Sequence, residues 1–168
     1  MFGSKKMIIL PLVCLIIFSV LFSCKKEPLP DAGKVKMRIS SAMMQAKEGD
    51  TAESIQSVFD ALLMALPQTD FPAEMGNLIN QANEALMSGG FPNQEVTNYV
   101  LAAYRVMKPS FAGFGRTDES SGVSSIASHF ATKLREAEGY VDEGRPKDAV
   151  ESLLEAILLT SPITPPDK

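Results

Sequence analysis

Cysteine, histidine and tryptophan are almost missing from this chain. Among its 168 residues there are two cysteines, one histidine and no tryptophan, and both cysteines, Cys14 and Cys24, lie near the start. A lone His129 cannot supply the His and Cys cluster that holds zinc. Two cysteines at one end build neither a zinc ribbon nor a disulfide framework. The chain also has no Gly-x-Ser-x-Gly elbow, and Ser128 and His129 are chain neighbours rather than a nucleophile and its base. Gly113-Phe114-Gly115 lacks the third glycine, the lysine and the preceding strand of a phosphate loop. A basic stripe is absent too, with 16 Lys and Arg against 20 Asp and Glu, which argues against a nucleic-acid partner. No segment alternates apolar and polar residues long enough to make a strand. These absences lead us to expect no enzyme, no cofactor and no metal. The one catalytic chemistry left open is a carboxylate pair, so a hydrolase stays as the second alternative.

One long apolar run is present. Lys5 and Lys6 precede Met7 to Phe22, which is apolar apart from one serine, carries Pro11 inside it and is closed by Ser23-Cys24. The run is shorter than the roughly 18 to 20 residues of a membrane-spanning helix and has the basic start of a secretory signal. Its end, Leu21-Phe22-Ser23-Cys24, resembles the bacterial lipoprotein signal. The resemblance implies that residues 1–23 are removed and that the Cys24 thiol takes a diacylglyceryl group, with an acyl chain such as palmitate on the freed amine. Sulfur is the nucleophile that makes such a thioether. Two or more acyl chains hold a protein firmly at a bilayer, where one is marginal. The resemblance thus implies a bacterial envelope protein attached to the membrane through Cys24. Lys25 after the cysteine resembles lipoproteins forwarded to the outer membrane. Losing residues 1–23 takes away Lys5 and Lys6 and moves the net charge from -4 to -6.

Residues 24–33 are polar, with Pro28 and Pro30, and read as a tether. From there to residue 162 every clear segment has helical period, leaving 163–168 as a tail. Val35, Ile39, Ala42, Met43 and Ala46 share a face, then Ile55, Val58, Phe59, Leu62 and Leu66. The spacing recurs in Met75, Leu78, Ile79, Ala82 and Leu86, and in Val96, Tyr99, Val100 and Ala103. It returns in Ile126, Phe130, Leu134, Ala137 and Val141, and in Val150, Leu153, Leu154 and Ile157. Six helices follow, in an all-α fold. Gly49 with Asp50 and Glu53, Gly89-Gly90 with Pro92, and Gly144 with Pro146 punctuate them as tight turns and helix starts. Pro67, Pro109 and Pro162 each close a second helix. The expected architecture is therefore three antiparallel helical hairpins.

Shifting the chain on itself by 95 places Ala42 on Ala137, Gly49 on Gly144, Val58 on Leu153, Ala61 on Ala156 and Pro67 on Pro162. Shifts of 40 and 42 bring in the middle hairpin. Ala137, Tyr140, Gly144, Ala149, Leu153, Ala156 and Pro162 resemble the tetratricopeptide repeat, which implies an α-solenoid. The competing expectation is an unrelated six-helix bundle that uses the same hairpin chemistry. In the repeat family first helices line a concave groove, which would here hold Lys36, Ile39, Met43 and Lys47, then Ile79, Asn83, Leu86 and Met87, then Leu134, Glu138, Val141 and Asp142. Lysines at one end and carboxylates at the other suit an extended peptide. The resulting expectation is a membrane-anchored adaptor or assembly scaffold for another envelope protein or peptide. The alternative is a lipid or small-molecule carrier whose helices enclose an apolar pocket.

Overall fold

The structure, a computed structural model, describes residues 29–111 and 123–161. The expected signal 1–23, Cys24, Phe114, Pro162 and the tail 163–168 lie outside them. The described chain is all-α, with α1 (Ala32–Glu48), α2 (Thr51–Ala65), α3 (Ala73–Gly89), α4 (Gln94–Met107), α5 (Val123–Asp142) and α6 (Pro146–Thr160). The helices pair as three antiparallel hairpins, α1/α2, α3/α4 and α5/α6, as the periodicity predicts.

The turns of the first and third hairpins are built alike. Gly49 and Gly144 sit at positive φ (87° and 65°), a conformation only glycine adopts cheaply. Past each of them the next amide reaches back to the same carbonyl register, Asp50 N–H to Gln45 and Arg145 N–H to Tyr140, both at 2.9 Å. This six-to-one bond satisfies carbonyls that a helix end leaves orphaned. Asp50 then caps α2, its side chain accepting from the Glu53 N–H at 3.1 Å. Pro146 opens α6 at the first helical turn, where its missing N–H costs nothing. The middle hairpin turns differently. Gly90 N–H bonds Leu86, and Asn93 caps α4 through the Glu95 N–H at 2.9 Å.

The hairpins pack side by side, but their order in space is not their order in the chain. Hairpins one and three are the close neighbours, like helix on like helix: α1 on α5 and α2 on α6. The paired helices run in opposite directions. Lys36 in the first turn of α1 meets Asp142 at the end of α5, and Lys147 in the first turn of α6 meets Asp70, just beyond α2. The two hairpins are thus related by an approximate two-fold rotation. Hairpin two lies across them, with α4 on α6 and α3 touching α2. Three layers result: α1/α5 outside, α2/α6 in the centre, α3/α4 on the far side.

The central position explains the composition of α2 and α6, whose burial wraps more than one face. In α2 it takes in Ser54, Ser57 and Ala61 beside Ile55, Val58, Phe59 and Leu62. In α6 it takes in Ala149, Ser152 and Ala156 beside Leu153, Leu154 and Ile157. Small residues let layers approach closely, and each large apolar side chain buried adds roughly 1.5–3 kcal/mol. Ser54, where the third hairpin has Ala149, donates to the Ala42 carbonyl at 2.8 Å and so carries no unmet polar group into the core.

Three details depart from the sequence reading. The fold begins within the expected tether: Leu29 is already buried in the core. Ile126, expected on the apolar stripe of α5, is 47% exposed, because it lies in the first turn of the longest helix, past the level at which α6 ends. Pro67 does not end α2 directly but sits in a 3-10 turn, Leu66–Gln68, that follows it.

Candidate functional site

The seven residues expected to contact a partner are dispersed over two outer layers. On α1 and α5, Lys36 donates to both carboxylate oxygens of Asp142, at 2.9 and 2.8 Å. That hydrogen bond holds the Lys36 ammonium above its ordinary pKa, and Glu138 adds to the same field. The expected separation of lysines from carboxylates is therefore neutralised at this seam. Met43 is half-buried against the core, and Lys47 is exposed in the last turn of α1. Asn83 and Met87 belong to α3, on the opposite side of the central layer. Asn83 meets Gln56 of α2 at 3.4 Å, and Met87 is 71% exposed. Lys36, Glu138 and Asp142 are brought together, but the seven do not line one groove.

A second polar centre, not anticipated from sequence, lies at the free edge of α6. Glu155 is buried within the run Leu153 to Leu158. One of its carboxylate oxygens accepts from the Tyr104 hydroxyl of α4 at 2.5 Å, and the other accepts from Lys133 of α5 at 2.8 Å. Lys133 also bonds Glu136 at 2.8 Å, and Lys108 at the end of α4 pairs with Glu151. A buried carboxylate is tolerated only when paired and hydrogen-bonded, and Glu155 is both. The centre ties three helices together.

Its electrostatics follow from these contacts. Burial disfavours the charged phenolate of Tyr104, and the Glu155 carboxylate disfavours it further, so its pKa is pushed up to about 12. For Lys133 burial works against the ammonium, but the hydrogen bonds to Glu136 and Glu155 outweigh it and raise the pKa. The hydrogen bond to Glu151 likewise raises that of Lys108 to about 12. Phe111 packs edge-on against the Tyr104 ring, 4.5 Å between centroids, anchoring the end of the hairpin.

Two clefts open on the surface. One, of about 130 Å³, lies between α5 and α6 and is bordered by Lys133, Glu136, Tyr140, Glu151, Ser152 and Glu155. The other, of about 480 Å³, is an open depression between Pro67–Asp70 and Gly144–Asp148, crossed by the Lys147–Asp70 pair at 2.5 Å. Among the described residues no group of three or more His, Cys, Asp or Glu side chains is arranged to hold a metal ion. No helix among them is long and apolar enough to cross a membrane.

The signal that could have exposed the α6 centre is the 95-residue shift itself. It places Arg38 on Lys133 and Asp60 on Glu155, and Arg38 pairs with Asp60 at 3.4 Å in the first hairpin as Lys133 does with Glu155 in the third. No family model matches the chain, nor does any curated protein or solved structure.

Proposed function

We propose that the chain is a bacterial envelope lipoprotein, anchored through an acylated Cys24, whose helical domain binds another protein or peptide as an adaptor or assembly scaffold at the outer membrane. The Leu21-Phe22-Ser23-Cys24 run carries the anchoring part, and the burial of Leu29 sets its reach. Only Lys25 to Pro28 stand between Cys24 and a residue fixed in the core. Five Cα steps span at most about 18 Å, so a lipid on Cys24 would hold the Leu29 end of the bundle close to the bilayer. Tethering of that kind raises the domain's effective concentration for anything at the same surface. Exposed methionines support the binding part. Met37 and Met44 stand one heptad apart on the solvent face of α1, at 66% and 58% exposure, and Met87 stands on α3. Flexible, polarizable side chains suit surfaces that receive a partner.

Radiolabelled palmitate fed to cells expressing the protein is expected to enter the wild-type chain and not Cys24→Ser. Cross-linked pull-down from envelope extracts with the acylated form should enrich a discrete partner more strongly than with Cys24→Ser. Label in neither form would remove the anchor, and enrichment by neither form would remove the adaptor.

A further inference from the structure

We infer that the polar cleft between α5 and α6 receives one cationic side-chain end group, a lysine ammonium or an arginine guanidinium, from a partner polypeptide. The polypeptide source rests on the adaptor reading above; the chemistry rests on the cleft.

Ser152 is the first observation. It is 3% exposed and borders the cleft, and among the described residues its hydroxyl makes no side-chain hydrogen bond. Other hydroxyls on these helices turn inward to a carbonyl four residues back, as Ser41, Thr132 and Ser161 do at 3.0, 2.9 and 2.9 Å. Ser152 instead keeps its oxygen for the cleft. That oxygen is open to the cleft, where an entering donor can take the place of solvent as its partner.

Charge is the second. Four carboxylates stand around the cleft: Glu136, Glu155, Glu151 and Asp148. Three cations answer them, Lys133 to the first two, Lys108 to Glu151 and Arg145 to Asp148, the last shared with Glu143. Carboxylates thus outnumber cations here, so an entering cation improves the balance and an entering carboxylate or phosphate worsens it. Two of the existing pairs are open to exchange. The side chains of Lys108 and Arg145 are 47% and 39% exposed, and such surface pairs are weakly held. An incoming cation can therefore share Glu151 and Asp148, donate to Ser152, and leave the buried Lys133–Glu155–Tyr104 centre intact.

Size is the third. At about 130 Å³ the cleft takes the end of one side chain and not a ring system or a stretch of backbone. Tyr140 lines one wall and carries Arg145 over its ring at 4.3 Å.

Saturation-transfer NMR on the full chain in deuterated detergent tests this with acetyl-Gly-Lys-Gly-amide, its arginine and norleucine analogues, and butylamine. The lysine and arginine peptides are expected to bind saturably, with norleucine weaker by about tenfold, the effect of losing one charge-assisted hydrogen bond. Glu151→Gln and Ser152→Ala should each weaken the lysine peptide by a similar factor with unchanged circular dichroism. Equal binding of norleucine, or unchanged affinity in both variants, overturns the site. Butylamine binding as tightly as the lysine peptide overturns the polypeptide source. Peptide binding without any captured envelope partner would fell the adaptor reading alone. Partner capture by Glu151→Gln at the wild-type level, with no peptide binding, would fell the cleft alone.

Discussion

At the α2 edge of the central layer Arg38 and Asp60 meet at 3.4 Å, with Asp60 still 32% exposed, and among the described residues the side-chain hydrogen bond from the neighbouring helix is the 3.4 Å one that Asn83 accepts from Gln56. At the α6 edge the corresponding pair, Lys133 and Glu155, meets at 2.8 Å with Glu155 12% exposed, because Tyr104 of α4 closes over the carboxylate. Both edges follow the same placement of a cation on a first helix and a carboxylate on a second. What separates a screened surface pair from a buried network is the third helix: α4 brings a tyrosine to α6, and α3 brings only an amide to α2. Asymmetry in the second hairpin thus differentiates two hairpins that are otherwise alike.

Removing the carboxylates should expose that asymmetry most strongly. Glu155→Ala removes the carboxylate that accepts from the Tyr104 hydroxyl and half the hydrogen bonding of Lys133, and is expected to destabilise the domain by about 2–4 kcal/mol in urea unfolding. A loss below that of the Asp60 variant would break the comparison. Tyr104→Phe removes the capping hydroxyl and leaves Glu155 one bond short, for an expected loss of about 1–2 kcal/mol. The same residue gives a pH signature. Its phenol ionises at about 12 in the folded protein against an ordinary 10.0. Between those values the unfolded chain gives up a proton that the folded chain keeps, so this contribution is whole below pH 10 and declines as pH rises through about 12. Difference absorbance at 295 nm between wild type and Tyr104→Phe should therefore show one tyrosine titrating near the upper value; titration at 10 would mean the hydroxyl is not enclosed. Asp60→Ala, at the open edge, should cost less than about 1 kcal/mol and lose even that in high salt.

Much of the fold was legible because helix faces are written locally. Val35, Ile39 and Ala42, or Phe130, Leu134 and Ala137, recur at helical spacing and are buried. Gly49 and Gly144 mark turns because few other residues tolerate their φ. An apolar stripe says that a face is covered and not by what, so the pairing of hairpin one with hairpin three was not written in any single segment. The self-alignment held a trace of it, since the strongest internal match joined the two hairpins that prove to be neighbours. For the candidate sites the limit was the same. The repeat resemblance puts Lys36 and Asp142 at opposite ends of a groove, and an antiparallel α1/α5 contact makes them partners. Glu155 is not legible because a lone carboxylate in an apolar run reads as exposed until its partners, 22 and 51 residues away, are known.

Zero-length carbodiimide cross-linking of the full chain, read by mass spectrometry, reaches the hairpin arrangement without any substitution. Amide links from Lys36 to Asp142 and from Lys147 to Asp70 are expected, since each pair is in direct contact. Absence of both, with Lys36 joined instead to Glu74 or Glu84 of the second hairpin, would contradict the pairing of the first hairpin with the third.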